Sequence, residues 1–344
     1  MVLCDSGTSA LVLALRVAVP RGGSVAFPSY SCVDLAAAAR YAGVRVRLYD
    51  LDPGTMSADL DSLEATLRRG VDAVVAVHLY GFPTDIHGMR KLARARGVTL
   101  IEDAAQGAGG TLAGAPTGGL GDISVLSFGR GKGTTSGRGG AVMTSDPQWA
   151  TRLSREIAVT EQRPNAGWGD LTRGAAQWLL GRPALYGVPA AIPGLQLGEM
   201  VYHPAHEPRS ISRAAIALLH DALRVDPHEV ARRRTNAAVL ERAVSEQCDA
   251  RAIRPVPGAE PGYLRFPIID AARRAPAPAL GISRGYPRAL FEQAELRPAL
   301  HADEPEPLGG RHLRESLFTL PVHGQMSARD LARVRAWIAA DAAV

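Results

Sequence analysis

Gly121-Asp122-Ile123-Ser124-Val125-Leu126-Ser127-Phe128-Gly129-Arg130-Gly131-Lys132-Gly133 runs from a β-branched stretch into a loop with glycines on both sides of a lysine. Ile123–Phe128 reads as a strand. Glycine lets a backbone bend closely around a ligand. A lysine there can form a Schiff base with a carbonyl once its amine is partly neutral. The nearby cations Arg130 and Arg138, together with desolvation, push in that direction. Lysine is also scarce: the chain has 39 Lys plus Arg, but only Lys91 and Lys132 are lysines. Lys132 is therefore unlike the ordinary surface lysine. The stretch is not a phosphate-binding GxxxxGK[ST] loop, because residue 133 is glycine rather than serine or threonine.

Outward from this stretch, short apolar runs alternate with helical patterns. After a short opening strand, the spacing predicts helices over Thr8–Val19, Ser31–Ala42, Asp59–Arg69 and Asp85–Arg96. It predicts strands over Val25–Phe27, Val44–Leu48, Asp72–Val77, Val98–Glu102 and Ala141–Thr144. Apolar strands alternating with helices argue for a mainly parallel sheet covered on both faces. Beyond Pro147 helical patterns dominate. Ile211–Arg224 and Ser327–Ala340 read as helices, the latter capped by Ser327, and Tyr263–Ile269 reads as a strand. Ala272–Pro278 reads as a loop and His301–Gly310 as an exposed acidic one. Trp178–Tyr186 is locally apolar and suits a core or lid helix pair ahead of an interface between copies or a membrane-surface element. The expected division is a large α/β domain over 1–200 and a smaller α+β domain over 201–344.

The 344 residues are 46% hydrophobic and 21% charged, enough apolar content to bury an ordinary core. No apolar run reaches the length of a membrane span. The start lacks a positive region and a cleavage pattern, so a cytoplasmic setting is expected. Cys4, Cys32 and Cys248 lie far apart, which excludes a disulfide framework. The net charge of +5 is scattered, which argues against nucleic-acid binding.

In an open α/β sheet, ligands sit beyond the carboxyl ends of the strands. Asp5-Ser6-Gly7-Thr8-Ser9 lies between the opening strand and a helix, and suits either a phosphate or a plain helix cap. Glu102-Asp103-Ala104-Ala105-Gln106 follows a strand. An acid there can meet a metal, a ribose or a protonated ring nitrogen, or cap a helix. His78 and Tyr80 follow another strand, where site-facing and core positions are both open. His203 and His206 have the spacing of a metal pair but no accompanying ligand pattern, so no metal is expected.

Five segments occur in order: the Ser-Gly-Thr at residues 6–8, His78–Ile86 (HLYGFPTDI), Ile101–Gln106 (IEDAAQ), Gly121–Lys132 (GDISVLSFGRGK) and Gly139–Asp146 (GGAVMTSD). Together with Phe318–Val334 they resemble the DegT/DnrJ/EryC1/StrS family of sugar aminotransferases. These are pyridoxal 5′-phosphate (PLP) enzymes of the aspartate-aminotransferase fold, fold type I. The resemblance implies a mainly parallel seven-stranded-type sheet between helices, with a smaller C-terminal α+β domain, and a homodimer. It implies that Lys132 carries the cofactor as a Schiff base and shuttles the substrate proton. Asp103 would pair with the pyridine nitrogen, Gln106 would contact the ring, and Gly7, Thr8 and Ser127 would hold the phosphate. The implied reaction moves an amino group from an amino acid, glutamate by this reading, to a keto-sugar nucleotide. A cyclitol, a carbocycle or another biosynthetic ketone is the alternative acceptor, and a catalytically degenerate binding or regulatory protein is a further alternative. Some relatives are dehydratases with histidine in place of the lysine, a form that Lys132 argues against. Three positions depart from the family pattern. The Ser-Gly-Thr motif already begins at Ser6, where a few dozen residues usually precede it. Cys32 stands where an aromatic residue often stacks on the ring, with Tyr30 as a substitute. Glu207-Pro208-Arg209 lacks the asparagine that reaches the partner's phosphate, leaving Arg209 as a candidate.

Overall fold

The computed structural model describes residues 1–160, 166–172, 201–247, 250–270 and 274–340. The Trp178–Tyr186 segment lies outside the described residues. Seven strands make the central sheet: β1 (Val2–Cys4), β2 (Ser24–Pro28), β3 (Arg45–Tyr49), β4 (Ala73–Val77), β5 (Thr99–Asp103), β8 (Ile123–Ser127) and β9 (Gly140–Met143). Their order is β1-β9-β8-β5-β4-β2-β3. The pairings from β8 through β5, β4 and β2 to β3 are all parallel, and β9 runs antiparallel to both β8 and β1. The expected mainly parallel sheet is what the chain builds.

Helices α1 (Gly7–Ala18), α2 (Asp34–Ala42), α3 (Leu60–Arg68) and α4 (Ile86–Arg94) connect the strands, and α5 (Pro147–Thr160) follows β9. Every residue of β4 is buried, as a strand covered on both faces must be. Ser9 to Leu15 of α1 are also buried without a break, because α1 packs against α2 on one side and β8 and β9 on the other. Caps set the starts: the Asp59 and Asp85 carboxylates accept first-turn N–H groups of α3 and α4. The helix read over Ser31–Ala42 begins only at Asp34.

A small sheet joins the short hairpin β6 (Thr111–Leu112) and β7 (Ala115–Pro116) to β11 (Ala259–Glu260). A four-stranded antiparallel sheet has the order β10 (Arg251–Ala252), β12 (Phe266–Ile269), β14 (Leu317–Leu320), β13 (Ser283–Arg284). Against it lie α6 (Arg213–Gln247) and α8 (Ala328–Ala339), with α7 (Leu308–Ser316) leading into β14. Ser327 caps α8 as its sequence predicts.

Helix α6 corrects the reading that ended it at Arg224. It runs for 35 residues with Pro227 inside. An internal proline removes a backbone hydrogen bond and costs about 3 kcal/mol. The turns beyond it bury Ala237, Leu240, Ala243 and Val244 against Phe266, Ile268 and Phe318, which offsets that cost. The His301–Gly310 loop is a second correction, since it is not simply exposed. Glu304 meets Arg47 and Arg69 at 3.1 and 2.7 Å, and its other oxygen accepts the Leu48 N–H of β3 at 2.7 Å. The acidic loop thus covers an open sheet edge that would otherwise display unpaired backbone groups.

Candidate active site

Val77, Asp103 and Ser127 are the last residues of β4, β5 and β8, and all three line one cavity of about 310 Å³. The cavity therefore opens at the carboxyl ends of the parallel strands, where α/β sheets bind ligands. The six residues to which the resemblance gives a cofactor role meet there: Gly7, Thr8, Asp103, Gln106, Ser127 and Lys132.

The start of α1 forms one wall. Ser6 Oγ accepts the Ser9 N–H at 3.0 Å and caps the helix, which leaves Gly7 and Thr8 on the cavity surface. A helix start favours an anion, because unpaired N–H groups and the helix dipole point at it. The cap reading and the phosphate reading of this segment are thus compatible. A Cβ on Gly7 would stand 2.6 Å from Ser127 Cβ, so only glycine lets α1 and β8 approach this closely.

Asp103 is 6% exposed, and its Oδ1 accepts the Ala105 N–H at 2.9 Å. Burial pushes its carboxyl above the ordinary range, against the opposing pull of that N–H and of Lys132. An acid in this condition favours a cationic partner. Gln106 is locked at both ends: its Oε1 accepts the Tyr80 N–H at 2.9 Å, and its Nε2 donates to the Tyr286 hydroxyl. Tyr286 stacks on Tyr80 at 5.3 Å and comes from the second half of the chain, beyond any local sequence signal.

Lys132 sits on a loop closed at its neck. Ser136 N–H donates to the Phe128 carbonyl at 3.1 Å, and Thr135 Oγ1 donates to the Gly129 carbonyl at 2.9 Å. Cys32 lines the cavity with its thiol 3.4 Å from Asp34 Oδ2, and burial raises that thiol far above its usual value. Tyr30 does not line the cavity. It is fully buried, and its hydroxyl accepts the Tyr286 N–H, which removes it as a substitute stacking residue. Arg209 is exposed and engages Asp5 through its backbone, whereas Arg138 reaches the cavity wall. Arg138 Nη2 donates to Asp5 Oδ2 at 3.2 Å. His206 approaches the same carboxylate at 3.4 Å, and His203 is exposed.

Glu102 does not serve the cavity. Successive strand residues face opposite ways, so Glu102 points away as Asp103 points in. It is fully buried and accepts the N–H groups of Gly118, Leu120 and Gly121, the Ser124 hydroxyl and His78 Nε2. His78 Nδ1 accepts the Thr84 N–H, so its proton lies on Nε2 and is donated to Glu102. His78 is thus a core residue.

These bonds hold the Glu102 carboxyl down at about 2 although burial opposes them. A depressed carboxyl contributes stability above its unfolded value, here 4.5, and loses it as pH falls toward 2. The interval corresponds to about 3 kcal/mol. Glu102→Gln is expected to lower the denaturation midpoint clearly at pH 7. Its gap from the wild type should narrow in melts taken from pH 5 down to pH 3. A gap independent of pH would contradict this account.

The fold is the α/β fold of the PLP-dependent aminotransferases, fold type I. It matches an aminotransferase of the DegT/DnrJ/EryC1/StrS group from Brucella abortus with a TM-score of 0.76 at 20% identity, over 98% of this chain and 84% of that one. It matches the aminotransferase TlmJ from Streptoalloteichus hindustanus with a TM-score of 0.74 at 24% identity, over 97% and 83%. Residues 1–164 match the DegT/DnrJ/EryC1/StrS aminotransferase family. Over 153 residues it is 36% identical to the GDP-perosamine synthase of Caulobacter vibrioides, covering 44% of this chain and 41% of that protein. Over 245 residues it is 32% identical to the L-glutamine:2-deoxy-scyllo-inosose aminotransferase of Streptoalloteichus tenebrarius, covering 70% and 52%. The chain spans about half the length, or less, of these curated relatives. Among the described residues no helix is long and apolar enough to cross a membrane.

Proposed function

We propose that the chain is a PLP-dependent aminotransferase that moves an amino group from glutamate, or a related amino acid, to the keto group of a nucleotide-linked sugar. The observation that carries this is the meeting of Lys132, Asp103 and the start of α1 on one cavity. The residues fit PLP. A lysine stands for the aldehyde, a buried carboxyl with a raised pKa for the ring nitrogen, and a helix start with a glycine that admits no Cβ for the phosphate. Bound there, PLP would supply a carbonyl for the amine and an electron-withdrawing ring.

The chain's own groups do the rest. Gly7, Thr8 and Ser127 bind the phosphate. Asp103 holds the proton on the ring nitrogen. Gln106, fixed by Tyr80 and Tyr286, orients the ring. Lys132 Nζ takes the proton from the donor's α-carbon and later returns one to the acceptor carbon. Residues 1–200 form the cofactor-binding domain and 201–344 the smaller one, and the working unit is a homodimer, the commonest closed assembly.

A keto-cyclitol is the second reading of the acceptor. It is favoured by the longer match, over 70% of this chain, to enzymes named for 2-deoxy-scyllo-inosose. The test supplies PLP-loaded protein with glutamate or glutamine and offers UDP- and GDP-linked keto-hexoses beside free keto-cyclitols. An aminated product by mass spectrometry is expected. Protein that takes up no PLP, or no amino group from any donor, would sink the proposal.

A further inference from the structure

We infer that Arg130 is the anion anchor for the acceptor and selects a ketone bearing a phosphate-linked group over an uncharged one. The inference rests on the aminotransferase reading above. Arg130 lines the cavity two residues before Lys132, on the loop whose neck is closed by Phe128, Gly129, Thr135 and Ser136. The closed neck keeps both cations at the same opening. Arg130 is exposed, which places it on the open side of the cavity rather than on the inner wall.

The carboxylates of this cavity are engaged elsewhere. Asp5 accepts from Ser9 and Arg138, Asp34 from the Cys32 thiol, and Asp103 from the Ala105 N–H. Arg138, the other arginine on the wall, is held by Asp5 and lies 3.6 Å from Asp170. Among the described residues no carboxylate pairs with Arg130. Two like charges on one short loop repel, and an anion relieves that repulsion. A guanidinium is the group best shaped to take phosphate oxygens two at a time. The anion could in principle be the cofactor's phosphate or the acceptor's. The helix start at Gly7 and Thr8 provides for the first, and the outer position of Arg130 suits the second.

The test titrates PLP-loaded wild type, Arg130→Gln and Arg130→Lys with UDP and with GDP by calorimetry. PLP dissociation constants are measured in parallel by absorbance. The wild type is expected to bind at least one nucleotide, more weakly as salt rises. Arg130→Gln should weaken that binding about ten- to a hundred-fold and flatten the salt dependence. Arg130→Lys should fall between, with the charge kept and the fork lost. The PLP dissociation constants should agree within about two-fold across the three proteins. Equal nucleotide affinity in wild type and Arg130→Gln would overturn the inference. So would a loaded wild type that binds neither nucleotide, or a loss that falls on PLP instead. A wild type that takes up no PLP would overturn the aminotransferase reading and this inference with it, and the absorbance reads that outcome separately.

Discussion

Replacing Lys132 by alanine is expected to abolish turnover and to abolish borohydride fixation of PLP to the protein. The chain makes this test unusually sharp, because only one other lysine competes for the label. Lys91 lies exposed near the end of α4 and does not line the cavity that Lys132 lines. Reduction of PLP-loaded wild type followed by peptide mapping should place the cofactor on Lys132 alone. Loss of a general acid–base typically costs about 10²–10⁴-fold in rate. Lys132→Ala should still bind donor and PLP, since the phosphate wall and Asp103 are untouched. It should fail to exchange the donor's α-hydrogen with D2O. That exchange reads the proton transfer directly and does not depend on knowing the acceptor. Label on Lys91, or exchange at the wild-type rate in the variant, would remove Lys132 from the role assigned to it.

That Lys132 and Asp103 line the cavity is legible in sequence, because each stands in a local pattern. One is a lysine in a glycine loop after a strand, in a chain almost without lysines. The other is an acid at a strand end. The alternation of apolar strands and helices likewise carried the parallel sheet, since burial on both faces leaves a continuous apolar run such as Ala73–Val77. What local pattern cannot hold is the choice between neighbours and the long-range partner. Glu102 and Asp103 read alike in sequence, yet the strand's alternation sends one into a nest of backbone N–H groups and the other to the cavity. Tyr286 reaches Gln106 across 180 positions. Glu304 reaches β3 across more than 250. The end of α6 is not legible locally: Pro227 lies inside the helix, and the apolar stripe beyond it finds its partners only in the assembled second core.

Asp103→Asn is expected to separate function from stability in opposite directions. Folding raises the Asp103 carboxyl above its ordinary value near 3.8, chiefly through burial. For a carboxyl raised on folding, the native state holds its proton more tightly than the unfolded chain does. The cost of burying the charge is absent below the unfolded value, grows as pH rises toward the folded one, and is present in full above it. At neutral pH the cofactor-free protein thus bears the cost of an acid whose ionised form burial disfavours, and a cationic ring nitrogen relieves it. Asparagine keeps an oxygen for the Ala105 N–H and removes the charge. Cofactor-free Asp103→Asn should therefore melt above the wild type at pH 7, by about 2 °C or more, and the difference should vanish toward pH 3. Added PLP should stabilise the wild type more than the variant, because only the wild type gains a counter-ion. Turnover should fall by at least about 10²-fold in the variant while PLP remains bound, since a neutral amide cannot keep the ring nitrogen protonated and electron withdrawal weakens. Near-normal turnover would show that Asp103 does not serve the ring. A cofactor-free variant less stable than the wild type at pH 7 would show that the charge is satisfied within the chain, and that Asp103 is a structural acid at the end of β5.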